Sequence, residues 1–332
     1  MTITTLKAAP HLLEATLELI ERSFHYQTPN KFSVDFTPLI NESNHHNCFV
    51  LVENEKVIAH IGVCERKILG SSIAMLGGIA VDEARRGEGF FNTLMQDVLA
   101  GKKSEVAFFL LWSDQESLYE KYGFYLCGTQ IEMMQTPSHQ TFFKTKYHLL
   151  NQTQKKEIQQ LFKNSFAVTY TTPERNEPDW KEIEKITSAD LFIRGENDKI
   201  EAYFFMNKGQ DLNQIIYEYA TAGDIKHLIQ EISSYGRVWL GSDLVDPQEL
   251  QYQFFMAPGD TGLFADFIKI YTKDKMVIRD INQIKQEIFF YFNEELLSLE
   301  SEDFLRGVFG PGIFEEIETV VKPLFISGLV SI

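Results

Sequence analysis

Leu76-Gly77-Gly78-Ile79-Ala80-Val81 runs into Asp82-Glu83-Ala84-Arg85-Arg86-Gly87-Glu88-Gly89, after which Phe91, Leu94, Met95 and Val98 recur at helical spacing. The first run is short and apolar and predicts a strand. The second is polar with two glycines and predicts a turn. The third is one face of a helix that ends near Gly101, where Lys102 and Lys103 suit the negative end of the helix dipole. A buried strand, Val106 to Trp112, follows. Strand, turn, helix and strand in this order form a crossover unit, so the first half is expected to be α/β with some parallel pairing. The turn gathers backbone N–H groups at the positive end of a helix, where phosphates bind. Gly87 and Gly89 permit close backbone approach, and Arg85 and Arg86 add charge. A strand-to-helix turn with no ligand is the plainer reading of the same residues, since Gly-x-Gly alone is weak.

Outward from this unit, Leu13, Leu17, Ile20 and Phe24 form the stripe of an amphipathic helix. Phe49 to Val52 and Val57 to Ile61 flank the polar Glu53-Asn54-Glu55-Lys56 and predict a hairpin. A similar unit recurs: Phe49 to Ala59 set against Phe192 to Ala202 gives five identities in eleven positions at an offset of 143. Leu111-Trp112-Ser113-Asp114 is echoed by Leu240-Gly241-Ser242-Asp243. Two like units in the same order argue for a tandem repeat, with chance likeness between hairpins as the alternative. The Arg-Arg-Gly-Glu-Gly run has no counterpart before the second helix, around Ile225 to Ile232, so one active site per chain is expected. The division read from this is 1–140, 150–280 and a helical segment 281–332. Glu294, Glu295, Glu300, Glu302 and Asp303 are expected on a helix in that last segment, as a dimer contact or a lid.

Composition limits the function classes. The chain has 332 residues, 44% hydrophobic and 13% aromatic, which is globular and long enough for two cores. Its net charge of −16 has the wrong sign for a phosphate-backbone binder, so nucleic acid is not expected as a partner. The balance is −4 over residues 1–150 and −12 over 151–332, which is either a solubilising surface or a field that attracts a cationic substrate. The longest run of apolar side chains, Val106 to Trp112, is seven residues, against roughly 20 for a bilayer span. His11, Glu14, Glu18 and Glu21 interrupt any secretory signal, and a cytoplasmic location is expected. Cys48, Cys64 and Cys127 lie at no metal-ligand spacing, and the His45-His46 pair sits in a polar turn, so no metal is expected.

Leu76 to Gly89 resembles motif A of the GNAT acyltransferases, with Gly87 and Gly89 matching and Ala84 standing where the family carries Gln or Arg. Leu118-Tyr119-Glu120-Lys121-Tyr122-Gly123-Phe124 is similar to motif B, a Tyr three residues before a Gly-Phe pair. The resemblance covers residues 1 to 137 and implies tandem GNAT-like domains in a mixed α/β sheet, the second degenerate. It implies an acetyl-CoA-dependent transfer to a small-molecule or peptidyl amine. The coenzyme A site would be Gly78, Ile79, Ala80 and Val81 with Arg85, Arg86, Gly87, Glu88, Gly89 and Phe90. Tyr119 would be the general acid; phenol and thiol have neighbouring reference pKa values of about 10 and about 8.5. A tyrosine packed on Phe124 is its bland alternative. For the base, Asp114, His60, Glu65, Glu132 and the terminal carboxylate of Ile332 are candidates. Ile332 is favoured only by resemblance to multi-domain GNATs of the enhanced-intracellular-survival type. An acyl-CoA-binding sensor without turnover and a tandem-GNAT peptidyltransferase are the competing functions.

Overall fold

The computed structural model describes residues 1–135, 141–196, 198–241 and 250–331. In chain order the strands are β1 Thr2–Thr5, β2 Cys48–Glu53, β3 Lys56–Ile68, β4 Ser71–Val81, β5 Phe108–Leu111, β6 Tyr125–Met133, β7 Phe143–Thr145, β8 Asp190–Glu196, β9 Lys199–Met206, β10 Ile215–Thr221, β11 Arg237–Leu240, β12 Leu250–Pro258, β13 Met276–Asn282, β14 Glu287–Phe292 and β15 Glu295–Glu300. The first twelve form one sheet in the order β1-β2-β3-β4-β5-β12-β6-β11-β10-β9-β8-β7.

From either edge the sheet reads alike. Strands β1 to β4 and β7 to β10 are antiparallel neighbours, and each set ends in a parallel pair, β4 with β5 and β10 with β11. The repeated hairpins of the sequence, β2–β3 and β8–β9, hold equivalent places. Leu111 and Leu240 end equivalent strands; Ser242 and Asp243 lie outside the described residues. The centre is an exchange. Strand β12 of the second half runs antiparallel between β5 and β6, while β6 of the first half pairs with β11. Neither 1–140 nor 150–280 is closed by its own strands.

Local chemistry accounts for most elements. Asn54 and Glu55 both take positive φ (49° and 64°), the two-residue hairpin geometry that matches strand twist. Strands β3, β4 and β5 are apolar without alternation because both faces are covered. Ile73, Met75, Phe108 and Leu110 face one core with Leu19 and Ile20 of the helix Leu13–Ser23. Ala74, Leu76, Phe109 and Leu111 face the other with Leu94, Met95 and Val98 of the helix Phe90–Lys102. Among the described residues no helix is long and apolar enough to cross a membrane.

The segment from 281 onward departs from the expected helix. Glu295–Glu300 is a strand, joined to β14 through Asn293 and Glu294 at positive φ, and Glu302 and Asp303 open the helix Ser301–Phe309. Ile288 and Phe290 are buried at a spacing of two on β14, and this alternation with aromatic side chains outweighs the charge pattern. Beyond that helix the chain returns to the second half as an extended segment. Leu324 bridges Thr171, Phe325 N–H donates to the Thr171 carbonyl at 2.9 Å, and Gln253 of β12 exchanges hydrogen bonds with Ile326.

That segment lies where β10 and β11 part. Beyond Ile216 and Val238 the parallel pairing stops, and the fully buried Glu218 takes Arg175, the Tyr203 hydroxyl at 3.1 Å and the Ser327 hydroxyl at 2.6 Å. Arg175 lies over the rings of Phe162 and Trp180 at 4.0 and 4.9 Å. Removing one partner of a buried pair leaves an uncompensated charge. Arg175→Met is therefore expected to lower unfolding free energy by about 3 to 5 kcal/mol in urea titrations. A loss under about 1 kcal/mol would mean that the pair does not hold this region together.

Candidate active site

Strands β4 and β5 pair only at Ala74–Phe109 and Met75–Leu110. Past this point they diverge and leave Gly77 to Val81 without a ladder partner on the β5 side. On the other side β4 is irregular: Gly77 pairs with Gly62 and Ala80 with His60, so Gly78 and Ile79 together stand opposite Ile61. This is a β-bulge, in which an extra residue is released from the ladder. Gly78 holds φ at 58°, and a Cβ there would lie 3.1 Å from the Phe32 ring and 3.2 Å from the His60 ring. The left-handed conformation calls for glycine, and the space beside it is tight.

The turn leaves the strand through Asp82, whose carboxylate accepts from Ala84 N–H at 3.0 Å. Gly87 and Gly89 both have φ of 84°, and Gly89 is the N-cap of Phe90–Lys102 with no side chain bonded to the first turn. The open N–H groups at this helix start can receive an anion. In the second half the equivalent helix, Ile225–Ile232, is capped by Asp224, which accepts from Lys226 N–H at 2.9 Å. That carboxylate occupies the position a phosphate would need. Arg85 is held by Glu53 at 2.6 Å and by Glu88 at 2.9 Å, over the Phe90 ring. Arg86 is exposed, with no ion pair among the described residues.

Beyond β5 the chain passes through Ser113 and the exposed Asp114 into the short helix Glu116–Glu120. Tyr119 is buried, its ring 5.8 Å from Phe91, 6.3 Å from Phe124 and 5.9 Å from Phe255. Burial raises the phenol above its ordinary value, a hydrogen bond with the Ser113 side chain opposes the rise, and Asp114 adds to it. The group keeps its proton at neutral pH. Phe255 belongs to β12, so the second half supplies a wall of the Tyr119 pocket, which no local sequence signal indicates. Phe32, which covers Gly78, was likewise missed, although the aromatic run Phe24, Tyr26, Phe32 and Phe36 was there to read.

The structure separates the base candidates. Glu65 is ion-paired to Lys102 at 2.7 Å and sits opposite Ala74, on the paired side of the fork. Glu132 accepts from the Trp239 indole at 2.9 Å and pairs with Arg237 at 3.2 Å, both on β11. Both carboxylates are engaged away from Gly78 and are set aside. His60 is fully buried, with Nδ1 2.7 Å from the Gly78 carbonyl, and burial pushes the imidazole down to about 4. Ile332 lies outside the described residues; the neighbouring Ser331 carbonyl accepts from Lys208 at 2.9 Å. Lys208 is itself buried, its ammonium pushed down to about 7 by desolvation and raised in part by Asp35 and Asp211. Among the described residues no group of three or more His, Cys, Asp or Glu could hold a metal ion.

Residues 7–127 match the family model of the acetyltransferase (GNAT) domain. No curated protein matches the sequence. Among solved structures, a GCN5-related N-acetyltransferase from Anabaena variabilis aligns with a TM-score of 0.57 at 13% identity, over 90% of this chain and 85% of that one. Eis1 from Mycobacterium abscessus aligns with a TM-score of 0.58 at 10% identity, over 98% and 99%. Saccharomyces cerevisiae N-myristoyltransferase with bound myristoyl-CoA aligns with a TM-score of 0.51 at 10% identity, over 77% and 78%. At these identities the likeness is one of fold. The family match falls on the glycine turn, the diverging strands and the Tyr119 helix, and residues 7–127 are on these grounds a GNAT acetyltransferase domain.

Proposed function

We propose that the protein transfers an acetyl group from acetyl-CoA directly to an amine, in the cytoplasm, with a cationic acceptor preferred. The observation that carries this reading is the fork at Met75 and Leu110, which opens a backbone edge beside an uncapped helix start. The pantetheine arm would lie along Gly78 to Val81 as an added strand. The pyrophosphate would take the N–H groups from Gly87 to Phe90, with Arg86 as the available guanidinium. Glu88 and Arg85 shape the turn through their own ion pair. Released amides of the bulge would polarise the thioester carbonyl.

Attack by a neutral amine forms the C–N bond and a tetrahedral oxyanion. Collapse breaks the C–S bond, and Tyr119 gives its proton to the departing thiolate. The amine's proton is assigned to Asp114, the carboxylate exposed just before the Tyr119 helix. Alignment of the two reactants lowers the barrier with no covalent enzyme intermediate. The second half is read as a degenerate copy, because Asp224 caps its helix and Glu218 fills its fork. A cationic acceptor is supported by Glu21, Asp35 and Asp211, which gather around Tyr26 at the junction of the halves and raise its phenol after burial itself.

Free-thiol release across an amine panel tests the activity; no release with any amine would leave a binding protein without turnover. Calorimetry is expected to give one acetyl-CoA site per chain, abolished by Gly89→Trp, and two equivalent sites would overturn the assignment of the turn. Tyr119→Phe is expected to reduce turnover by roughly 100- to 10,000-fold with little change in acetyl-CoA affinity. A smaller loss, below about threefold, would return Tyr119 to a packing role. Acceptor Michaelis constants are expected to rise with salt, since exposed charges are screened beyond roughly 10 Å at 0.1 M. Neutral amines outperforming cationic ones at low salt would remove the acceptor preference.

A further inference from the structure

We infer that His60 is a positioning residue for the acyl carbonyl: by holding the Gly78 carbonyl it fixes the direction of the next amide in the bulge. This rests on the acyl-transfer reading above. The Gly78 carbonyl can only accept, so Nδ1 at 2.7 Å carries the proton and Nε2 is left with a bare lone pair. Nε2 is buried and has no partner among the described residues. A polar ring with one unmet atom is a costly thing to enclose completely, and its one bond goes to the bulge. Burial pushes the imidazole down to about 4, so the ring is neutral in the working pH range, and protonation of Nε2 below that would leave the Nδ1–H bond in place.

The bulge explains why such a bond is needed. Gly78 and Ile79 face one residue of β3, so the ladder does not serve both of their peptide groups. Glycine at φ of 58° sits in a conformation from which its backbone turns easily. The Gly78 carbonyl and the Ile79 N–H belong to one planar trans unit and point in opposite directions. Pinning the oxygen against His60 on one side therefore sets the hydrogen on the other. Phe32 packs over Gly78 and closes the same spot from outside. An amide aimed in advance is worth more to a developing oxyanion than one that must reorient.

Three variants separate this role from packing and from proton transfer. His60→Asn places an amide N–H2 where Nδ1 sits, His60→Gln carries it one bond farther, and His60→Leu has no donor. The readout that needs no acceptor is the infrared carbonyl stretch of acetyl-CoA labelled with 13C at the carbonyl and bound to each protein. We expect wild type and His60→Asn to shift the band to lower frequency, and His60→Leu and His60→Gln to return it toward the free value. Turnover should fall roughly 10- to 100-fold in the Leu and Gln variants at near-constant acetyl-CoA affinity, and recover in Asn. A wild-type band in His60→Leu would overturn the proposal, and so would an Asn variant as slow as Leu, which would require the imidazole itself. If Leu does not fold, the Asn and Gln pair decides by the same two measures. Wild type that binds no acetyl-CoA would instead overturn the acyl-transfer reading and this proposal with it.

Discussion

Two parallel strands that stop pairing after two registers leave backbone groups that must find other partners. The molecule meets this constraint twice and answers it differently. In the second half the fork is filled from within, by a buried carboxylate, an arginine stacked on two rings and the returning chain near Ser327. In the first half no such buried pair is found at the fork among the described residues, and the free edge adjoins a helix start that Gly89 does not cap with a side chain. One answer closes the fork and the other leaves a backbone edge open.

The contrast is visible in single residues. Asp224 begins one helix with a carboxylate of its own, and Gly89 begins the other with none. The same backbone geometry is thus closed by a carboxylate in one place and left open in the other.

Features set by near neighbours in the chain were legible beforehand. The Asn54-Glu55 hairpin, the turn at Gly87 and Gly89, the helix Phe90–Lys102 and the place of Tyr119 all follow from local periodicity and turn chemistry. The hairpin repeat was legible too, because like strands keep like patterns. What was not legible is who stands beside whom. An apolar strand reads the same whichever neighbour it takes, so the crossing of β6 and β12, and with it the Phe255 wall of the Tyr119 pocket, could not be foreseen. Glu65 and Glu132 looked available because their partners, Lys102, Trp239 and Arg237, are distant in the chain. The strand Glu295–Glu300 was not legible because its own side chains are mostly exposed and only the neighbouring β14 carries the aromatic alternation.

The crossing of strands also bears on how the chain comes off the ribosome. Strand β5 is complete at Leu111, but the strand that covers its far edge, β12, starts at Leu250, about 140 residues later. At roughly 5 to 20 residues per second that is a delay on the order of ten seconds. Throughout it the nascent first half carries an uncovered apolar edge, the kind of surface that pairs with whatever strand arrives. The enzyme half is thus the first to be synthesised and, for want of β12, cannot be the first to be finished.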